Sequence, residues 1–177
     1  MRSVKNIIKF SIVSMLIVML SSCTSVNRRV GAVLDLDTDV KMEFSIDEFV
    51  NPDEQDQSSP VFVRLYELKD TTQFESADFI DLYERDKEVL GKSFIARQEL
   101  KPFVPGSVRE ESFVLDKETQ YIGLFVEFFQ YKDSTSTLVF PITTTNVVRN
   151  LVRIRILDNK IELDTRPKTS KKRLRNN

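Results

Sequence analysis

The chain has 177 residues, a mass of 20.6 kDa, 13 phenylalanines and a formal net charge of −1, which fits one domain with tails and enough length to bury a core. Histidine is absent and there is one cysteine, so serine–histidine and cysteine–histidine catalysis and zinc sites built on those residues are excluded. Four glycines and no glycine-rich phosphate motif leave no expectation of a nucleotide-cradling loop.

The N-terminus reads as an address. Arg2, Lys5 and Lys9 open the chain, and no acid precedes Asp35. The apolar run Phe10 to Leu20 is eleven residues long, short of the roughly 20 needed to span a bilayer. Residues 1–22 therefore read as a secretory signal. Its exit, Leu20-Ser21-Ser22-Cys23, resembles a bacterial lipobox. Cys23 is expected to carry an N-acyl diacylglycerol, which also accounts for an odd cysteine in an exported protein. Each buried methylene contributes about 0.8 kcal/mol, so three acyl chains should hold the protein essentially permanently. Thr24, rather than Asp, follows the cysteine; by the sorting rule of enteric bacteria this points to the outer membrane.

Residues 23–37 read as a lipidated leader. Asp35, Asp37 and Asp39 alternate, but the calcium-loop pattern with its central Gly and closing Glu is missing. A half-buried strand follows, with Val40, Met42, Phe44 and Ile46 on one face and Lys41, Glu43, Ser45 and Asp47 on the other. The next strand runs from Val61 to Leu68. Between them, Asn51 to Pro60 contains two prolines, three acids and no aliphatic residue, and so reads as an exposed loop.

One helical region is predicted next. Thr72-x-x-Glu75 reads as a capping box, and Phe74, Ala77, Phe79, Ile80, Leu82 and Tyr83 recur at helical spacing. The chain turns near Gly91, with room for a second short helix before it. Leu100 to Gly106, with Pro102 and Pro105, reads as a loop. Arg109 to Leu115 alternates as a strand. Tyr121 to Phe129 is almost continuously apolar, as in a central strand covered on both faces. Leu138 to Thr143 contains Pro141 and is placed at a sheet edge. Val147 to Leu157 and Lys160 to Leu163 read as a hairpin across Asp158-Asn159. The fold class is mainly β: a two-sheet β-sandwich over residues 38–165 with a small helical insertion.

Residues 166–177 read as a basic, disordered tail, with six basic residues and no acid between Arg166 and Arg175. Of 26 basic residues three lie in the signal and six in the tail, so 17 face all 27 acids in between, a net of −10. The body is acidic and the tail basic. A solvated tail is the plain reading, and contact with anionic lipid or an acidic surface the sharper one. Nucleic acid is not an expected partner of an exported chain.

Taken together, Asn51-Pro52-Asp53-Glu54-Gln55, Ser59 to Leu68, Phe74-x-x-Ala77-Asp78-Phe79-x-x-Leu82-Tyr83-Glu84-Arg85-Asp86, Val89-Leu90-Gly91, Pro105-Gly106 and Tyr121 to Val126 resemble, in that order, the TssJ family of type VI secretion lipoproteins, also called VasD, SciN or Lip. The resemblance covers most of the mature chain. It implies a transthyretin-like β-sandwich on an outer-membrane lipoprotein facing the periplasm, with no cofactor beyond the acyl group on Cys23. It also implies a non-catalytic role in a TssJ–TssL–TssM complex, tethering the periplasmic C-terminal domain of the inner-membrane protein TssM. The family's contact loop maps onto Asn51, Pro52, Asp53, Glu54, Gln55, Asp56, Gln57, Ser58 and Ser59. From the residues alone, that loop is polar, proline-bounded and held between two strands, where binding loops commonly lie. The Gln- and acid-rich loop and the basic tail depart from the family pattern.

Two other functions draw on particular residues. Phe113, Phe125, Phe128 and Phe129 can line an apolar pocket, giving a lipoprotein that binds an apolar ligand or another envelope protein. Glu84, Asp86 and Glu88 supply the paired carboxylates of a glycosidase, but their i, i+2 spacing does not share a helical face.

Overall fold

The computed structural model describes residues 38–142 and 150–165. The predicted signal (1–22), Cys23, the leader to residue 37, residues 143 and 147–149 of the predicted strands and the tail from Arg166 lie outside the described residues.

Alternation builds the first strand, β1 (Thr38–Val50). Val40, Met42, Phe44 and Ile46 are buried while Lys41, Glu43, Ser45 and Asp47 reach toward solvent, as the period of two requires. β1 pairs antiparallel with β4 (Val108–Leu115) and parallel with β7 (Asn150–Asp158), which turns back into β8 (Lys160–Leu163). The hairpin turn at Asp158 takes a positive φ of 49°, which Asp tolerates better than most residues. The resulting sheet has the order β4-β1-β7-β8.

The second sheet has the order β3-β2-β5-β6, built from β2 (Phe62–Leu68), β3 (Phe94–Glu99), β5 (Tyr121–Glu127) and β6 (Thr137–Pro141). Its inner face gives Val63, Leu65, Ile122, Leu124 and Val126 to a core shared with Phe44, Phe113, Ile154 and Ile156 of the first sheet. Its outer face carries Tyr66, Leu68 and Phe125 beneath Phe74, Leu82 and Leu90 of two helices. β5 is thus covered on both sides, which is why it reads as a continuous apolar run. β6 lies at an edge, where the missing N–H of Pro141 costs no ladder bond.

Two expectations are corrected and one strand is added. The helical region is two helices, α1 (Thr72–Ser76) and α2 (Phe79–Leu90), separated by extended backbone at Ala77 and Asp78. The capping box at Thr72 is not formed: the Thr72 N–H donates to Asp70 Oδ1 at 3.2 Å and Glu75 instead accepts from the Thr71 hydroxyl at 2.8 Å. β3 was not anticipated, because as an edge strand it pairs only with β2 and carries Arg97 and Glu99 among its exposed positions.

Gly123 makes the two-sided packing of β5 testable. A Cβ there would lie 2.8 Å from Phe74 Cζ and 3.1 Å from Leu68 Cδ1. Gly123→Ala should destabilise the fold by about 1–3 kcal/mol through overpacking, read as a lower midpoint in chemical unfolding. An unchanged midpoint would mean that α1 is not seated on β5.

Candidate partner-binding site

The segment from Asn51 to Pro60 leaves the end of β1 and returns into β2. Its first residue is not a surface contact, as its place in the predicted loop implied, but a buried fastener, 2% exposed. Asn51 adopts φ 49°, a conformation Asn accepts readily. Its side-chain N–H donates to the Pro60 carbonyl at 3.0 Å, across the mouth of the loop. Its side-chain oxygen accepts the Phe129 N–H at 2.8 Å, and its backbone N–H donates to the Asp158 carbonyl at 2.8 Å. One side chain and its own N–H thus join the loop to three segments.

Asp53 organises the tip. Its Oδ1 accepts the N–H groups of Gln55 at 2.8 Å and Gln57 at 2.9 Å. Its own N–H donates to the Gln57 carbonyl at 3.0 Å, and its carbonyl accepts the Asp56 N–H at 3.1 Å. Asp56 completes the turn at φ 57°, and Pro52 and Ser58 form a β-bridge below it. Short acidic side chains that bond local backbone favour such closed turns. The loop is therefore preordered. Its carboxylates divide by role: Asp53 is spent inside the turn, whereas Glu54 and Asp56 face solvent and, among the described residues, make no ion pair. Gln55, Gln57 and Ser58 are exposed beside them, and Pro52 and Ser59 are half-buried.

A groove opens next to this loop, with a cavity of about 360 Å³. Asn51 and Pro60 form one wall; Phe62, Ile80, Tyr83, Phe129 and Tyr131 supply most of the rest. Gln130 ties the wall to the loop by donating to the Asp53 carbonyl at 3.5 Å. On the floor Phe79 stacks on Tyr131, with centroids 4.6 Å apart, and tilts against Phe125 at 5.0 Å. Across that stack lies a second depression bordered by Asp78, Asp81 and Lys132.

Arg64 fixes the helix that forms the far wall. α2 is broken at Arg85, whose φ of −141° and ψ of 36° are not helical. Arg64 donates to the carbonyls of Leu82 and Tyr83, both at 3.0 Å, just before the break, where the helical ladder no longer serves every carbonyl. The same guanidinium pairs with Glu127 at 2.7 Å and lies 5.2 Å from the Tyr83 ring centroid.

The other sequence candidates separate. Glu84 and Glu88 are exposed, while Asp86 is buried against Tyr66 and Arg97, so the three carboxylates do not share one face. Phe113 and Phe128 belong to the core between the sheets and Phe125 to the core under the helices; only Phe129 reaches the surface. Among the described residues no group of three or more His, Cys, Asp or Glu is placed to hold a metal, and no helix is long and apolar enough to cross a membrane. The first two members of the Asp35, Asp37 and Asp39 series lie outside the described residues.

The family model described as "Type VI secretion lipoprotein, VasD, EvfM, TssJ, VC_A0113" matches residues 38–166, the whole sandwich. The chain belongs to this family. TssJ proteins are structural lipoproteins of type VI secretion, not enzymes, and have no known cofactor. The T6SS lipoprotein TssJ1 from Pseudomonas aeruginosa is 25% identical, with a TM-score of 0.66 over 74% of this chain and 98% of that one. Lip from Serratia marcescens, a membrane-bound component of the type VI secretion system, is 20% identical, with a TM-score of 0.67 over 74% and 99%. A chain in a structure described as the T6SS protein TssM C-terminal domain from EAEC is 22% identical, with a TM-score of 0.59 over 71% and 96%. No match was found among curated proteins.

The groove was missed at the level of sequence. Its signals were present: Phe62 is out of phase with Val61, Val63 and Leu65, and adjacent Phe128 and Phe129 on one strand end cannot both face inward.

Proposed function

We propose that this chain is the outer-membrane lipoprotein of a type VI secretion membrane complex. It faces the periplasm and tethers the C-terminal periplasmic domain of TssM, within a TssJ–TssL–TssM assembly, to the outer membrane. The observation that carries this reading, beside membership of the family, is the preordered loop with its outward acids at the end of β1. The chain enters the sandwich at Thr38 and reaches that loop thirteen residues later, roughly 40 Å along an extended strand at about 3.3 Å per residue. The entry point of the sandwich and the loop thus fall at opposite ends of one strand. A preordered loop also binds without the entropic cost of ordering itself.

The lipid end is tested at Cys23. Cys23→Ala should shift the protein from the membrane to the soluble periplasmic fraction and abolish type VI secretion, while the sandwich still folds. Secretion at the wild-type level from the unlipidated protein would contradict the tether.

A further inference from the structure

We propose that the groove beside the loop is a second half of the same grip, and that it takes a bulky apolar side chain of the bound partner flanked by basic residues. This rests on the tethering reading above.

Four large apolar side chains stand unburied around one depression: Phe62 is 51% exposed, Phe129 65%, Tyr83 48% and Ile80 42%. Single exposed apolar residues are ordinary, but a cluster around a concave surface marks an interaction site. The walls are held in place by built contacts. Arg64 fixes the Leu82–Tyr83 backbone, Asn51 fixes Phe129, and Phe79 stacks on Tyr131 beneath. Rigid aromatic anchors of this kind lose little entropy on binding and carry a large share of interface energy.

Acids beside the groove, rather than in its lining, set the chemistry of the occupant. Glu54 and Asp56 stand on the loop side, and Asp78 borders the neighbouring depression beyond the Phe79–Tyr131 stack, where Asp81 is already paired with Arg85 and Lys132 also stands. Arg64, on the wall side, is already engaged by Glu127, and Arg85 by Asp81. A partner segment with one buried apolar side chain and a Lys or Arg on either side complements both features. The groove is continuous with the loop, because Asn51 and Pro60 belong to both.

The test is calorimetric titration of the full lipidated chain in detergent with the TssM C-terminal domain, at low and high salt. Phe62→Ser and Phe129→Ser are compared with Val114→Ser, an exposed apolar residue on the outer strand β4. Each groove variant should bind at least about tenfold more weakly, the Val114 variant should match the wild type, and affinity should fall with salt. Melting temperatures should stay unchanged, since these rings are half or more exposed; if Phe62→Ser fails to fold, Phe129→Ser alone decides. Wild-type binding that both groove variants retain within twofold would overturn this inference and leave the tether standing. Binding insensitive to salt would overturn the basic flank. Failure of the wild type itself to bind would overturn the tether and, with it, the groove.

Discussion

Asp86→Ala is expected to destabilise the domain by about 3–5 kcal/mol, the cost of removing one partner from a buried ion pair. The carboxylate lies against the outer face of β2, its side chain 8% exposed. It accepts the Tyr66 hydroxyl at 2.8 Å and Arg97 at 2.7 Å, and Arg64 stands 3.9 Å away. Its other oxygen accepts the Lys87 N–H at 2.7 Å. Alanine would leave a buried phenol and two guanidinium groups facing one another without the charge that joins them. Asp86→Asn should cost less, because the amide oxygen still accepts a hydrogen bond. Guanidinium unfolding curves of the three proteins check the order.

The same site makes stability depend on pH. Burial pushes the Asp86 carboxyl upward, but the hydrogen bonds from Arg97, Tyr66 and the Lys87 N–H outweigh it and hold the group below its ordinary value. A carboxyl lowered in the folded state binds protons more weakly than the unfolded chain does. Its contribution is therefore present above the unfolded value of about 3.9 and is lost as pH falls through the folded one. The wild type should lose stability below about pH 4, and Asp86→Asn should lose less of it over that window.

The second large effect is expected at Asp53, although its carboxylate is turned away from any partner. Asp53→Ala removes the acceptor of the Gln55 and Gln57 N–H groups, so the tip must be ordered during binding. Affinity for the TssM C-terminal domain should fall by about 1–3 kcal/mol, roughly 5- to 150-fold. Asp53→Asn should restore most of it, because the side-chain oxygen that accepts both bonds remains. Glu54→Lys with Asp56→Lys should act differently: binding slows, and the sign of its salt dependence changes. If Asp53→Asn binds as poorly as Asp53→Ala, the carboxylate's charge rather than its geometry matters.

How much of this was legible in the sequence follows from which forces act locally. β1 announced itself because one face is solvated and the other buried, so Val40, Met42, Phe44 and Ile46 alternate with polar residues. β5 was legible for the opposite reason, having no solvated face. Pro141 located an edge. β3 stayed hidden because an edge strand is specified by its neighbour β2 rather than by its own pattern. The break between the helices depends on the seating of Phe74 and Leu82 on the sheet, which spacing alone does not reveal. The loop was found as a loop, but the inward roles of Asn51 and Asp53 arise from partners as distant as Phe129 and Asp158. Ile80 and Tyr83 were legible only as members of a helical pattern, and the folded arrangement alone places them on the groove.

Direct titration tests most simply whether the preordered loop grips TssM. The lipidated chain in detergent would be titrated with the TssM C-terminal domain, beside a variant with Glu54, Gln55, Asp56 and Gln57 replaced by Ala and Asp53 kept. Saturable binding by the wild type, lost or weakened at least about tenfold in a variant that melts at the same temperature, is the predicted result. Equal binding by both proteins would contradict the assignment of the grip to this loop.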